Sequence, residues 1–221
     1  MKNESKIITM DVDFVLLDWV LGLKPFMEEK GISTEHLEKY AGNTYYPKLT
    51  ELFLMDDEDL AIELMKEFNR SQHIENLPIF QDEAHKYLKE LHDEGYDFRA
   101  VTCIGDEPIH RELRSKNLMK VYGDVFNENK VVNIPVRTSK EPYLRELQNE
   151  GNVLMFVDDR IPHLNEALRL DIQPVLYTND GKTTNNKKIE IIDCLSSLKD
   201  VIIKQEEKLN NKRQIKVKHN G

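Results

Sequence analysis

Two pairs of carboxylates in this sequence each follow a short apolar segment. Asp11 and Asp13 come after the first such segment, and the adjacent pair Asp158 and Asp159 comes after another. Carboxylates at the end of a buried strand are costly unless they bind something, because a desolvated charge needs a partner. Carboxylate oxygens are also the ligands that Mg²⁺ prefers. The sequence therefore predicts cation chemistry at the ends of two strands.

Two more side chains stand where they could hold an anion. Thr102 ends an apolar segment, and its hydroxyl and the backbone N–H groups from Cys103 onward could hold a phosphate. Lys140 lies at a predicted helix start, where the helix dipole disfavours a cation unless an anion is near. The simpler alternatives are a threonine that caps a turn and a solvated lysine.

The elements that must position these residues follow from the apolar pattern. Short apolar segments predict strands at 6–10, 98–102, 131–134, 153–157 and 174–177, and 189–192 could add another. Runs that do not alternate are typical of parallel strands buried on both faces. Helical patterns lie between them, at 81–95, 107–120, 140–149, 161–170 and 196–208. This alternation predicts an α/β fold with a doubly wound, mainly parallel, Rossmann-like sheet, whose ligands bind beyond the carboxyl ends of its strands.

One long segment breaks the alternation. Helical patterns alone fill the chain between the first two strands, at 18–30, 34–40, 47–55 and 57–69. A single crossover needs only one helix, so a small helical cap inserted after the first strand is expected. The predicted domains are a core of 1–17 and 79–207, a cap of 18–78 and a flexible basic tail of 208–221. Trp19, Tyr45 and Tyr46 lie in the cap, where an exposed ring could stack on a base.

Composition excludes several classes of protein. The 221 residues carry 31 Lys and Arg against 40 Asp and Glu, a formal net charge of −9, so stable nucleic-acid binding is not expected. Two cysteines cannot form a disulfide framework or a four-cysteine zinc site. No apolar run reaches the roughly 18 residues of a membrane span. The polar N-terminal segment is not typical of a signal peptide, so a cytoplasmic location is expected.

The order of these motifs, Asp-x-Asp, Thr, Lys and Asp-Asp, resembles the haloacid dehalogenase superfamily of phosphohydrolases. The resemblance covers about residues 6–203. It implies a Mg²⁺-dependent phosphomonoesterase that forms an aspartyl-phosphate, acting on a small phosphorylated substrate. The roles that it implies are a nucleophile (Asp11), a general acid/base (Asp13), phosphate binders (Thr102, Cys103, Lys140), Mg²⁺ ligands (Asp11, Asp13, Asp158) and a residue that binds the ion through water (Asp159).

A finer resemblance concerns the substrate. Asp158-Asp159-Arg160 and the segment 11–16 are similar to the 5′(3′)-deoxyribonucleotidase-like branch, which implies a nucleotide as the substrate. Trp19, Tyr45 and Tyr46 are the cap residues expected to contribute to substrate specificity. The family usually has Gly where this chain has Phe14. A sugar-phosphate phosphatase, a nucleic-acid 3′-phosphatase and a catalytically silent binding protein remain alternatives. No membrane partner is expected, and a homodimer is compatible with the sequence.

Overall fold

The computed structural model describes the backbone of residues 5–219 and the side chains of residues 5–211. Within these residues, six strands form one sheet: β1 (Lys6–Met10), β2 (Tyr96–Thr102), β3 (Val131–Asn133), β4 (Asn152–Asp158), β5 (Gln173–Tyr177) and β6 (Glu190–Ile192). Every pairing is parallel, and the strand order is β3-β2-β1-β4-β5-β6. The predicted α/β fold class and parallel sheet are confirmed.

Helical elements alone connect β1 to β2 across the segment predicted as a cap. They comprise α1 (Trp19–Glu29), α2 (Leu49–Leu52) and α3 (Glu58–Arg70), with single 3₁₀ segments at Glu35–Lys39 and Gln72–Asn76. After them comes α4 (Ala84–Asp93), which leads into β2. We refer to residues 18–78 as the helical insertion.

The remaining helices cover the two faces of the sheet. They are α5 (Pro108–Tyr122), α6 (Glu141–Glu150), α7 (Ile161–Arg169) and α8 (Leu198–His219). Ile8 and Met10 of β1 share one buried cluster with apolar residues of α4, α5 and α8. Ile7 and Phe156 share a second cluster with residues of α6 and α7 on the opposite face. Burial on both faces explains why the central strands appear in the sequence as mostly apolar segments and do not alternate apolar with polar residues.

The helical insertion leaves and rejoins the core at one place. Leu17 and Ile79 form an isolated antiparallel bridge, and the Asp18 N–H donates to the Pro78 carbonyl at 2.9 Å. The Asp18 carboxylate then caps α1 by accepting from the Leu21 N–H at 2.8 Å. The two linkers therefore form a short stem between the insertion and the core.

The last helix extends beyond its predicted end at residue 208. Helix α8 continues to His219, so most of the basic segment is helical; Asn220 and Gly221 lie outside the described residues. Flexibility of this segment, and the division of the chain into domains, stay predictions. None of the described helices is both long enough and apolar enough to cross a membrane.

Candidate active site

The ends of β1 and β4 bring two carboxylates together. Met10 lies opposite Val157 in the sheet register, and the Asp11 N–H donates to the Val157 carbonyl at 2.8 Å. Asp11 and Asp158 therefore emerge side by side at the carboxyl edge of adjacent strands. Asp11 is 7% exposed and Asp158 is fully buried. Two desolvated carboxylates at the ends of adjacent strands require a cation between them.

Lys140 supplies that cation. Its Nζ lies 2.8 Å from Asp11 Oδ1 and 2.8 Å from Asp158 Oδ2, and the side chain is buried. Burial alone would lower the pKa of Lys140, but Asp11 and Asp158 outweigh it and raise the pKa, so the lysine is charged. The Glu166 carboxylate accepts from the Lys140 N–H at 2.8 Å and holds the start of α6 at the site.

Asp159 completes an acidic cluster with the other two carboxylates. One oxygen from each of Asp11, Asp158 and Asp159 lies within 4.8 Å of the others, and all three residues are buried. Burial, then Asp158 and Asp11, raise the pKa of Asp159 well above its ordinary value. Among residues 5–211 the Asp159 carboxylate has no hydrogen-bond or ion-pair partner. Unmatched buried oxygen donors of this kind suit a hard divalent cation, so the residues present fit a metal site.

Asp13 is held by two side chains from the core. Arg114 Nη2 donates to Asp13 Oδ1 at 2.7 Å, and the Thr102 hydroxyl donates to Asp13 Oδ2 at 3.2 Å. Burial raises the pKa of Asp13, with Arg114 opposing the rise and Asp11 adding to it. Both carboxylate oxygens are thus restrained beside Asp11.

The two predicted phosphate binders after β2 differ in their surroundings. The Thr102 side chain is fully buried, and its hydroxyl is engaged by Asp13. Cys103 is partly exposed and lies close enough to Lys140 and Asp11 to feel their charges. Burial raises the pKa of the Cys103 thiol to about 12, so it stays protonated and is no thiolate nucleophile. Phosphate binding by both residues stays a prediction.

Phe14 adopts the backbone conformation that glycine favours. Its φ is 65°, in the left-handed region where a side chain is strained. The ring is 5% exposed and makes edge contacts with Tyr46 and Phe80 at centroid distances of 5.4 and 6.3 Å. The backbone turn after Asp13 is therefore kept despite the missing glycine, and the ring fills space between the core and the helical insertion.

The three aromatic residues predicted to bind substrate occupy different environments. Trp19 is buried and donates to Asn69 Oδ1 at 3.1 Å, as part of the apolar interior of the insertion. Tyr45 is exposed and stacks on Tyr40, with centroids 6.2 Å apart. Tyr46 is half exposed. Burial of its hydroxyl, the larger cause, and the nearby Asp13 carboxylate, the smaller one, raise the pKa of Tyr46 to about 12. Of the three, Tyr46 is the one beside the acidic site.

A pair of loops fixes this part of the insertion to the core. The Thr44 N–H donates to Asn179 Oδ1 at 3.0 Å, and the Asn179 N–H donates to the Thr44 hydroxyl at 3.2 Å. Lys182 Nζ reaches the Asp159 carbonyl at 3.2 Å and the Thr44 carbonyl at 3.5 Å. The loop that carries Tyr46 is therefore held next to Asp159.

Sequence reasoning missed Arg114, the buried partner of Asp13. His110, Arg114 and Asn117 follow helical spacing on the buried side of α5. Asn117 donates to the Leu77 carbonyl at 3.0 Å, at the end of the insertion. Polar residues at this spacing, on the face of a helix that must pack on the sheet, are the signal that could have identified them.

Solved structures of other proteins share this architecture. A presumed phosphatase from Clostridium difficile aligns with a TM-score of 0.64 at 18% identity, covering 91% of this chain and 100% of that protein. A haloacid dehalogenase-like hydrolase from Streptococcus pneumoniae aligns with a TM-score of 0.62 at 14% identity, covering 89% and 98%. The chain has the fold of the haloacid dehalogenase-like hydrolases. A 2-haloacid dehalogenase from Pseudomonas syringae also has it, with a TM-score of 0.51, 18% identity and coverages of 90% and 99%. The fold therefore hosts more than one reaction.

Sequence comparison adds one relative among curated proteins. An uncharacterized 32.4 kDa protein from the Gp30–rIII intergenic region of Enterobacteria phage T4 is 30% identical over 181 residues. The match covers 82% of this chain and 63% of that protein. The chain thus spans less than two thirds of the relative's length. No family model matches the sequence.

Proposed function

We propose that this protein is a Mg²⁺-dependent phosphomonoesterase that works through an aspartyl-phosphate on Asp11, with nucleotides as its substrates. The observation that carries the proposal is the buried cluster in which Lys140 bridges Asp11 and Asp158 at 2.8 Å each. A nucleophilic carboxylate held beside a cation is what attack on a phosphate dianion requires, because the two anions otherwise repel each other.

The reaction divides into two displacements at phosphorus. In the first, an Asp11 oxygen attacks phosphorus, the bond to the leaving oxygen breaks, and Asp13 gives that oxygen a proton. In the second, water attacks the phosphorus of the aspartyl-phosphate and gives its proton to Asp13. Inorganic phosphate leaves and the Asp11 carboxylate is restored. Lys140 offsets the charge on the phosphoryl oxygens.

The acidic cluster accounts for the metal in this proposal. Asp11, Asp158 and the Asp13 carbonyl would hold Mg²⁺ directly, with Asp159 binding it through water. When bound, Mg²⁺ would neutralise negative charge shared by the carboxylates and the phosphate. The unmatched Asp159 carboxylate supports this assignment, because a divalent charge removes the cost of its burial.

Asp13 favours ester hydrolysis over dehalogenation. A halide leaves carbon without a proton, whereas an alkoxide leaving phosphorus needs one. A carboxyl group restrained beside Asp11, with a pKa raised by burial, suits that proton transfer.

The surroundings of Tyr46 support a nucleotide as the substrate. Its half-exposed ring offers a face on which a base could stack. Arg137 and Arg160 are exposed, lie close enough to the Tyr46 hydroxyl to affect its pKa, and have no carboxylate partner among residues 5–211. Guanidinium groups beside an aromatic ring suit the phosphate and base of a nucleotide. A sugar phosphate would use the Tyr46 ring less, because it has no base to stack on it.

The test is a phosphate-release assay on a panel of monoesters, with Mg²⁺ or with EDTA. The panel holds 5′- and 3′-mononucleotides, sugar phosphates, a 3′-phosphorylated oligonucleotide and p-nitrophenyl phosphate. We expect Mg²⁺-dependent release with the highest kcat/KM on a mononucleotide. A preference for sugar phosphates or the oligonucleotide would replace the substrate class. No release from any ester would favour a silent binding protein.

A further inference from the structure

Arg114 is a buried cation that the reaction described above does not use. It lies in the middle of α5 and is 0% exposed. Its Nη2 donates to Asp13 Oδ1 at 2.7 Å, which joins the sheet-packing helix directly to the proposed acid/base. The contact links residues that are far apart in sequence, so it forms only in the complete fold.

The other donors of this guanidinium are unsatisfied. Arg114 Nε and Nη1 are buried and have no hydrogen-bond partner among residues 5–211. A buried charge with unfilled donors lowers stability, and apolar replacement of buried ion pairs is often neutral or stabilising. Packing alone therefore does not account for an arginine at this position, whereas its contact with Asp13 does.

Arg114 and Thr102 restrain the two oxygens of Asp13 separately. Arg114 binds Oδ1, and the Thr102 hydroxyl binds Oδ2 at the longer distance of 3.2 Å. We propose that Arg114 is a positioning residue that fixes the Asp13 carboxyl group in the orientation for proton transfer. The inference rests on the proposed phosphomonoesterase function and adds a residue to it.

The two displacements depend differently on this orientation. The first needs a proton from Asp13 only when the leaving oxygen is strongly basic, as in an alkyl phosphate. A p-nitrophenolate leaves without one. The second always needs Asp13 to take a proton from water. Loss of Arg114 should therefore slow both steps for an alkyl ester, and only the second step for p-nitrophenyl phosphate.

Rapid-mixing kinetics of Arg114→Met with both esters test this. General acid–base catalysis typically contributes about a hundred- to ten-thousandfold, and we expect kcat for the alkyl phosphate to fall within that range. With p-nitrophenyl phosphate we expect a fast burst of about one p-nitrophenol per enzyme, then slow turnover, because the aspartyl-phosphate accumulates. Arg111→Met is the matched control, since Arg111 is an exposed arginine on the same helix, and both esters should behave as with wild type.

A conservative variant covers the case in which Arg114→Met does not fold. Arg114→Lys keeps the positive charge but lacks the planar guanidinium with its fixed donors. We therefore expect the same burst with a smaller loss on the alkyl ester. Equal losses on both esters without a burst, or wild-type kinetics in either folded variant, would overturn the role of Arg114 but leave the proposed function standing. Wild-type protein that hydrolyses no ester would overturn the proposed function, and the role of Arg114 with it.

Discussion

Replacing Lys140 with Met removes the cation that bridges two buried carboxylates. Its Nζ lies 2.8 Å from Asp11 and 2.8 Å from Asp158, with 1% of the side chain exposed. Removing one partner of a buried ion pair typically costs about 3–5 kcal/mol, because the other charge stays desolvated. For a chain of this size each kcal/mol lowers Tm by about 2–4 °C, so Lys140→Met should lower Tm by about 6–20 °C.

Thermal melting in EDTA measures this loss, and an exposed lysine with two acidic neighbours provides the control. Lys89 pairs with Asp93 and Asp124 at the surface, so Lys89→Met should leave Tm close to the wild-type value. Melting with Mg²⁺ provides a second comparison. At a hundredfold excess over Kd a ligand adds about 2.7 kcal/mol. Lys140→Met should gain more than wild type at equal Mg²⁺, because its cluster carries one more uncompensated negative charge. Equal Tm values for Lys140→Met and wild type in EDTA would refute the reasoning.

Three other experiments test separate parts of the protein. Asp11→Asn should keep the fold and abolish phosphate release, because an amide does not attack phosphorus; activity above about a hundredth of wild type would contradict its role as nucleophile. Tyr46→Ala should raise KM for the best nucleotide by about ten- to a hundredfold and spare p-nitrophenyl phosphate, with Tyr45→Ala as the control that stays unchanged. Iodoacetamide should label Cys194 faster than Cys103 by peptide mass spectrometry, since burial raises the pKa of Cys103 to about 12 while hydrogen bonds, despite burial, lower that of Cys194.

The sheet could be predicted from sequence because its strands are buried on both faces. The segment that forms β4, Asn152–Asp158, shows no alternation of apolar and polar residues and ends at charged residues. Its position and its end could therefore both be predicted from the sequence. The end of α8 was not, because the apolar period that marks a packed helix fades before the backbone stops being helical at His219. Helix length beyond the packed region depends on local propensity alone.

The clustering of Asp11, Lys140 and Asp158 followed from strand ends meeting at one edge. Arg114 could not be found from strand ends, because it lies within a helix, where arginines are usually exposed, and its partner Asp13 is about a hundred residues away. The left-handed backbone of Phe14 is indicated only by the glycine that the family usually has there, since the residue type itself argues against that conformation. The pairing of Arg114 with Asp13 depends on a contact between distant segments, which a single sequence does not display.

The central place of β1 in the sheet has a consequence for how the protein forms during synthesis. β1 is made first, yet its two neighbours are β2 and β4, and β4 is completed only with Asp158. Until then one edge of a largely apolar strand has no native partner, which is the situation in which nascent chains associate with one another or with chaperones. Asp11 meets its partner carboxylate, Asp158, only when β4 pairs with β1. N-terminal fragments that stop before β4 should therefore be inactive and prone to aggregation.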